Sequence, residues 1–97
     1  MDTASLMQEI PPEQSLIEYP TRFPIKVMGL NVQGFVHAVT AIAERLDPAF
    51  DATTVELRAS KGEKYLGVTI TVTATSRAQL DELYRTLSTH PMVKMVL

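Results

Sequence analysis

The stretch Tyr65–Ala74, YLGVTITVTA, carries the cleanest two-residue alternation in the chain. Leu66, Val68, Ile70, Val72 and Ala74 fall on one side, with Tyr65, Gly67, Thr69, Thr71 and Thr73 on the other. Successive side chains of a strand point to opposite faces, so the pattern predicts one buried face and one threonine-lined open face. An antiparallel or mixed sheet covered on one side only reads this way. The rest of the chain must then supply a layer for one face and leave the other bare.

Working outward, TTVELRAS (residues 53–60) alternates as well, with Val55, Leu57 and Ala59 directed inward and Thr54, Glu56 and Arg58 outward. Lys61-Gly62 supplies the turn between these strands, as a two-residue turn or a glycine-containing loop of three or four residues. Further upstream, FPIKVMGL (residues 23–30) sends Phe23, Ile25 and Val27 one way and Lys26 and Met28 the other. Pro24 suits an early strand position that needs no ladder bond. A helix follows, with Asn31 expected to cap its free amides and Phe35, Val39, Ile42 and Leu46 forming the apolar stripe. Val36 and Ala43 widen the stripe, and Asp47-Pro48 ends it.

Downstream, Ser76-Arg77-Ala78-Gln79 has the form of a capping box and opens a second helix. Leu80, Leu83 and Leu87 make its apolar stripe beside Tyr84, and His90-Pro91 breaks it. MVKMVL (residues 92–97) closes the chain as a short strand, with Val96 assigned to the open face. The order is strand, helix, strand, strand, helix, strand. Right-handed crossovers place both helices on one face. The expected fold is α+β, a two-layer ferredoxin-like βαββαβ sandwich with a four-stranded sheet in the order 4-1-3-2.

Residues 1–15 differ in composition from the rest of the chain and include Pro11 and Pro12, which predicts a flexible N-terminal arm. Residues 16–97 are then a single domain, with Leu16, Ile17 and Tyr19 packing onto it. At 97 residues and 45% apolar composition the chain has room for one core. A formal net charge of -2 argues against a dedicated nucleic-acid binder, and the absence of cysteine excludes a disulfide framework and a thiolate nucleophile. No apolar run reaches the ~20 residues of a membrane helix. Asp2 and Glu9 precede the first basic residue, Arg22, which excludes an ordinary secretory signal. The expectation is a cytoplasmic protein without membrane contact.

The loop between the first strand and first helix invites a functional reading. Gly29, Asn31, Gln33 and Gly34 surround the start of a helix, where free amides and a partial positive charge favour a carboxylate or phosphate. Glycine and asparagine are also the usual residues of a strand-to-helix turn, and a purely structural turn is the stronger of the two readings. Val32-Gln33-Gly34 resembles part of the acylphosphatase signature, but Val36, His37 and Ala38 stand where its essential arginine belongs. The attacking-water asparagine of that class is missing from residues 53–60. Acyl phosphate hydrolysis is therefore a minor alternative, since His37 cannot copy a bidentate guanidinium clamp.

His37 and His90 stand far apart without a carboxylate cluster, so neither a metal nor another cofactor is expected. His37 reads as a solvated residue and His90 as a cap for the last carbonyls of the second helix. The serines serve turns and caps, and no nucleophile elbow or phosphate loop is present. RNA-binding modules of this topology stack bases on aromatics of the open sheet face. Tyr65 is a lone aromatic there, which leaves weak RNA binding as a second alternative. An interaction surface is better supported: Lys26, Met28, Tyr65, Thr69 and Lys94 mark the open face, and two edge strands offer self-association or peptide pairing.

Several motifs together resemble the YbeD-like family of small bacterial proteins. They are residues 16–20 leading to Phe23-Pro24-Ile25-Lys26-Val27-Met28-Gly29, then Ser60-Lys61-Gly62, the helix region from Ser76, and Val93-Lys94-Met95-Val96-Leu97. The resemblance covers about the last 80 residues. It implies a ferredoxin-like domain similar to the ACT-type regulatory domains that sense amino acids, often as homodimers. Gly29-Leu30-Asn31 replaces the Asp-x-Pro-Gly-like turn of such sensing domains. The expected function is thus non-enzymatic and regulatory, through an unknown protein partner or a small metabolite.

Overall fold

A computed structural model describes residues 18–97. The arm expected over residues 1–15, with Leu16 and Ile17, lies outside the described residues. The elements follow in the expected order: β1 (Thr21–Leu30), α1 (Phe35–Leu46), β2 (Glu56–Ala59), β3 (Tyr65–Ala74), α2 (Arg77–Ser88) and β4 (Val93–Val96). One four-stranded sheet runs β2-β3-β1-β4, which is the expected 4-1-3-2 order, and all its pairings are antiparallel.

The long β1–β3 pair forms the spine. Phe23 faces Val72, Ile25 faces Ile70 and Val27 faces Val68, so directly opposed residues share the helix-covered face. Ile25, Val27, Val68, Ile70 and Val72 are fully buried there against Phe35, Val39 and Ala43 of α1 and Leu83 and Leu87 of α2. Each such side chain contributes about 1.5–3 kcal/mol by leaving water, which is why the apolar pattern dictates the layers. Tyr19 packs against the edge of this core as expected.

Gly29 is needed for close approach. A Cβ there would lie 2.3 Å from the Met92 carbonyl oxygen and 2.7 Å from the Phe35 ring. The first residue of α1 thus folds back over the end of β1, and only a bare backbone leaves room.

Four local expectations need correction. The first concerns β2, which begins at Glu56, since Ala52–Thr54 forms a 3-10 turn in which the Asp51 carboxylate accepts from Thr53 N at 2.9 Å and Thr53 Oγ1 at 2.6 Å. A short acidic side chain that bonds its own backbone competes with the ladder. Leu57 and Ala59 oppose Val68 and Leu66, so they do point to the helix side. They are nevertheless exposed, Leu57 by 56%, because the helices do not reach over this edge strand.

The second concerns Asn31, which caps no helix. Gly34, at φ 92°, occupies the N-cap position of α1 without a side-chain bond. Asn31 instead donates from Nδ2 to the Glu63 carbonyl (3.1 Å) and from its backbone to the Lys64 carbonyl (2.9 Å). It ties the end of β1 to the β2–β3 turn. That turn is the longer of the expected forms, with Ser60 and Tyr65 paired across Lys61, Gly62, Glu63 and Lys64.

The third concerns the end of α2. The His90 ring does not cap the last carbonyls; its Nδ1 accepts from Met92 N at 3.1 Å, while its backbone N–H serves the Leu87 carbonyl. The fourth concerns Val96, which faces Val27 and packs against the core. A register shift between Met28 and Gly29 leaves Lys94 without an opposed residue, and this bulge sets Val93 and Val96 both on the core side.

At the far end of β3, beyond β2, buried Asp47 accepts from Thr73 N at 2.8 Å and Ala49 N at 3.0 Å. Gln79 completes this clasp. Its Oε1 accepts from Thr75 N (2.7 Å), and its Nε2 donates to the carbonyls of Leu46 (3.0 Å) and Thr73 (3.1 Å). Ser76 Oγ accepts from Gln79 N as a capping box requires, but the returning bond goes to Thr75, one residue earlier.

Candidate functional site

The sheet face away from the helices carries the expected interaction residues. Lys26 opposes Thr69 on β3, Met28 opposes Gly67 and Leu30 opposes Tyr65. On β2, Glu56 and Arg58 continue the rows of Thr69 and Gly67. On the other side, Met95 opposes Met28, and Leu97 exchanges both backbone bonds with Lys26, which places it on the same face.

This face joins an apolar group to a charged one. Leu30, Tyr65, Met95 and Leu97 are large and exposed, the last two by 52% and 61%, and Met28 is half-buried among them. Exposed apolar side chains clustered in this way beside polar ones are a feature of interaction surfaces. Beside it lies a depression of about 200 Å³ lined by Lys26, Met28, Arg58, Ala59, Ser60 and Gly67. Neither the Lys26 ammonium nor the Arg58 guanidinium forms an ion pair within 4.0 Å among the described residues. Tyr65 is the strands' one aromatic on this face, and Lys64 Nζ sits 5.5 Å from its ring centroid.

Of the expected open-face residues, Lys26, Met28, Tyr65 and Thr69 come together, whereas Lys94 occupies the β4 bulge. Leu30, Arg58, Met95 and Leu97 also belong there. For the last two, the signal was the Val93–Val96 spacing of three, which fits a bulge and not a strict alternation. The loop residues divide differently: Gly29 is buried under Phe35, the Asn31 amide is bonded to the β2–β3 turn, and Gln33 and Gly34 are exposed.

One carboxyl and one phenol are perturbed away from this face. The Thr53 hydroxyl and amide hold the Asp51 carboxyl below its usual value, and partial burial pushes the Tyr84 phenol up. Among the described residues no group of three His, Cys, Asp or Glu side chains converges as a metal site. Among them, too, no helix is long and apolar enough to cross a membrane.

Comparison with known proteins agrees with the fold. The family model described as a protein of unknown function (DUF493) matches residues 14–97. The UPF0250 protein of Leptothrix cholodnii is 68% identical over 91 residues, covering 94% of this chain and all of that relative. The Bordetella pertussis UPF0250 protein is 58% identical over the same shares, and that of Nitrosomonas europaea is 54% identical across 88% of this chain and 98% of its own. The solution structure of protein HP0495 from H. pylori superposes with a TM-score of 0.69 at 18% identity, covering 90% of this chain and 94% of that one. It shares the fold. The YbeD-like resemblance in the sequence leads to the same place: the chain belongs to the DUF493, or UPF0250, family of small bacterial proteins.

Proposed function

We propose that this protein is a non-enzymatic regulatory module of the cytoplasm that binds a protein partner across the helix-free face of its sheet. The observation that carries the reading is the exposed group of Leu30, Tyr65, Met95 and Leu97, gathered around Met28 on that face. Removing such a patch from water drives association, at about 25 cal/mol per Å² before the costs of ordering. Flanking Lys26 and Arg58 give it a polar rim of the kind that orients a partner.

Protein contact is favoured over small-metabolite sensing at the β1–α1 loop. There Gly29 is covered and the Asn31 side-chain amide already has a partner, so two of the four loop residues expected to hold a ligand are engaged elsewhere. A photocrosslinking residue at position 65 should capture a discrete protein from lysate of the source bacterium, while one at exposed position 37 on α1 should not. Met95→Lys should reduce capture at 65. Equal capture at both positions would sink the reading. Light scattering of the purified chain tests whether the partner is a second copy.

A further inference from the structure

We propose that the depression over Gly67 receives a carboxylate side chain, glutamate or aspartate, presented by an acidic segment of a protein partner. This rests on the protein-binding reading above and gives it a chemical specificity. The floor is Gly67, where β3 lacks a side chain between Met28 on β1 and Arg58 on β2. Lys26 and Arg58 approach it from opposite sides, and Ser60 closes the rim. Neither cationic group has an ion-pair partner within 4.0 Å among the described residues, although Glu56 shares their face. In a chain of net charge -2, two cations left unmatched around one hollow make a local site for negative charge.

Size and surroundings select the occupant. About 200 Å³ falls short of the ~300–1,000 Å³ of small-molecule pockets and suits one side chain. Arg58 offers a planar fork that pairs with a carboxylate through two parallel bonds, with Lys26 as a second charge. Met28 lines the hollow and Met95 lies beyond it on β4, so apolar neighbours of the incoming acid would lie on the exposed patch. A free anion would gain the charge but lose that contact.

The test titrates the isotope-labelled full chain with a capped peptide, acetyl-Ser-Leu-Glu-Leu-Ser-amide, with its glutamine counterpart, and with glutarate, following amide signals by NMR. The glutamate peptide should shift Gly67, Arg58 and Lys26 and bind about three- to tenfold more tightly than the glutamine peptide, a difference that added salt erases. Arg58→Gln should remove most of that advantage. Gly67→Ala should do so by filling the floor, with the fold intact because its Cβ would meet only the Arg58 carbonyl oxygen at 3.5 Å. Equal binding of the two peptides, or an advantage that survives both variants, overturns the proposal. Glutarate binding as tightly as the glutamate peptide overturns the protein segment as its source. If the peptides fail while Met95→Lys still reduces crosslinking at position 65, the protein-binding face stands and only the acidic specificity falls.

Discussion

The two faces of β3 are made by alternate residues of one ten-residue strand, yet their surroundings are opposite. On one side Leu66, Val68, Ile70, Val72 and Ala74 are buried under two helices. On the other, Tyr65, Gly67, Thr69, Thr71 and Thr73 meet no second layer, and the neighbouring strands add Leu30, Met95 and Leu97 to that side. Stability is concentrated on the first face, and the recognition surface proposed above lies on the second. A residue's contribution therefore depends on which side of the sheet it occupies and on how far the helices extend over it.

The most disruptive way to break this division is Gly29→Val. The added side chain enters the space held by Phe35 and the Met92 carbonyl, and about 3 kcal/mol or more should be lost, read as a lowered urea midpoint or as failure to fold. Ile70→Ala, at the centre of the covered face, should cost about 2–5 kcal/mol by the same measurement. Thr69→Ala, one residue away on the open face, should cost no more than about 1 kcal/mol. Comparable losses at 69 and 70 would refute the division.

Asp47→Ala probes the clasp that finishes β3 where β2 has run out. It leaves the Thr73 and Ala49 amides without their acceptor, and about 2–4 kcal/mol should be lost. Leu57→Lys sharpens the comparison in another way. Leu57 lies on the same side as Val68 but beyond the helices, so its replacement should change stability by less than about 1 kcal/mol. A larger loss would mean that the core extends over β2. The smallest effect belongs to Tyr19→Phe. The buried Tyr19 hydroxyl has no hydrogen-bond partner among the described residues, so its removal should leave the midpoint unchanged or slightly raised.

Much of this fold was legible because strand and helix periods are short-range and the apolar residues obey them. The β3 alternation, the Phe35–Val39–Ile42 stripe and the Leu80–Leu83–Leu87 stripe name the core residues without reference to any distant contact. Of the glycines read as turn residues, Gly34 and Gly62 take positive φ, whereas Gly29 lies inside β1 and serves close approach. What misled were residues with two local choices. Asn31 looked like a cap and became a tether, because Glu63 and Lys64, more than thirty residues away, put carbonyls within its reach. Val96 looked open and proved core-facing, because one bulged residue, Lys94, inverts the alternation after it. The candidate face was half visible: Lys26, Met28, Tyr65 and Thr69 lie on clean alternating strands, while Met95 and Leu97 come after the bulge.

By itself the sequence determined the order of elements, the two-layer sandwich and which side of each long strand is apolar. Those follow from the period of side-chain direction and the free energy of burying apolar area, both written in neighbouring residues. Only the tertiary structure decided how far the helices extend over the sheet, which polar side chains reach across it, and that Lys26 and Arg58 flank a hollow floored by Gly67. Such matters turn on distances between strands remote in sequence, and no local pattern encodes them.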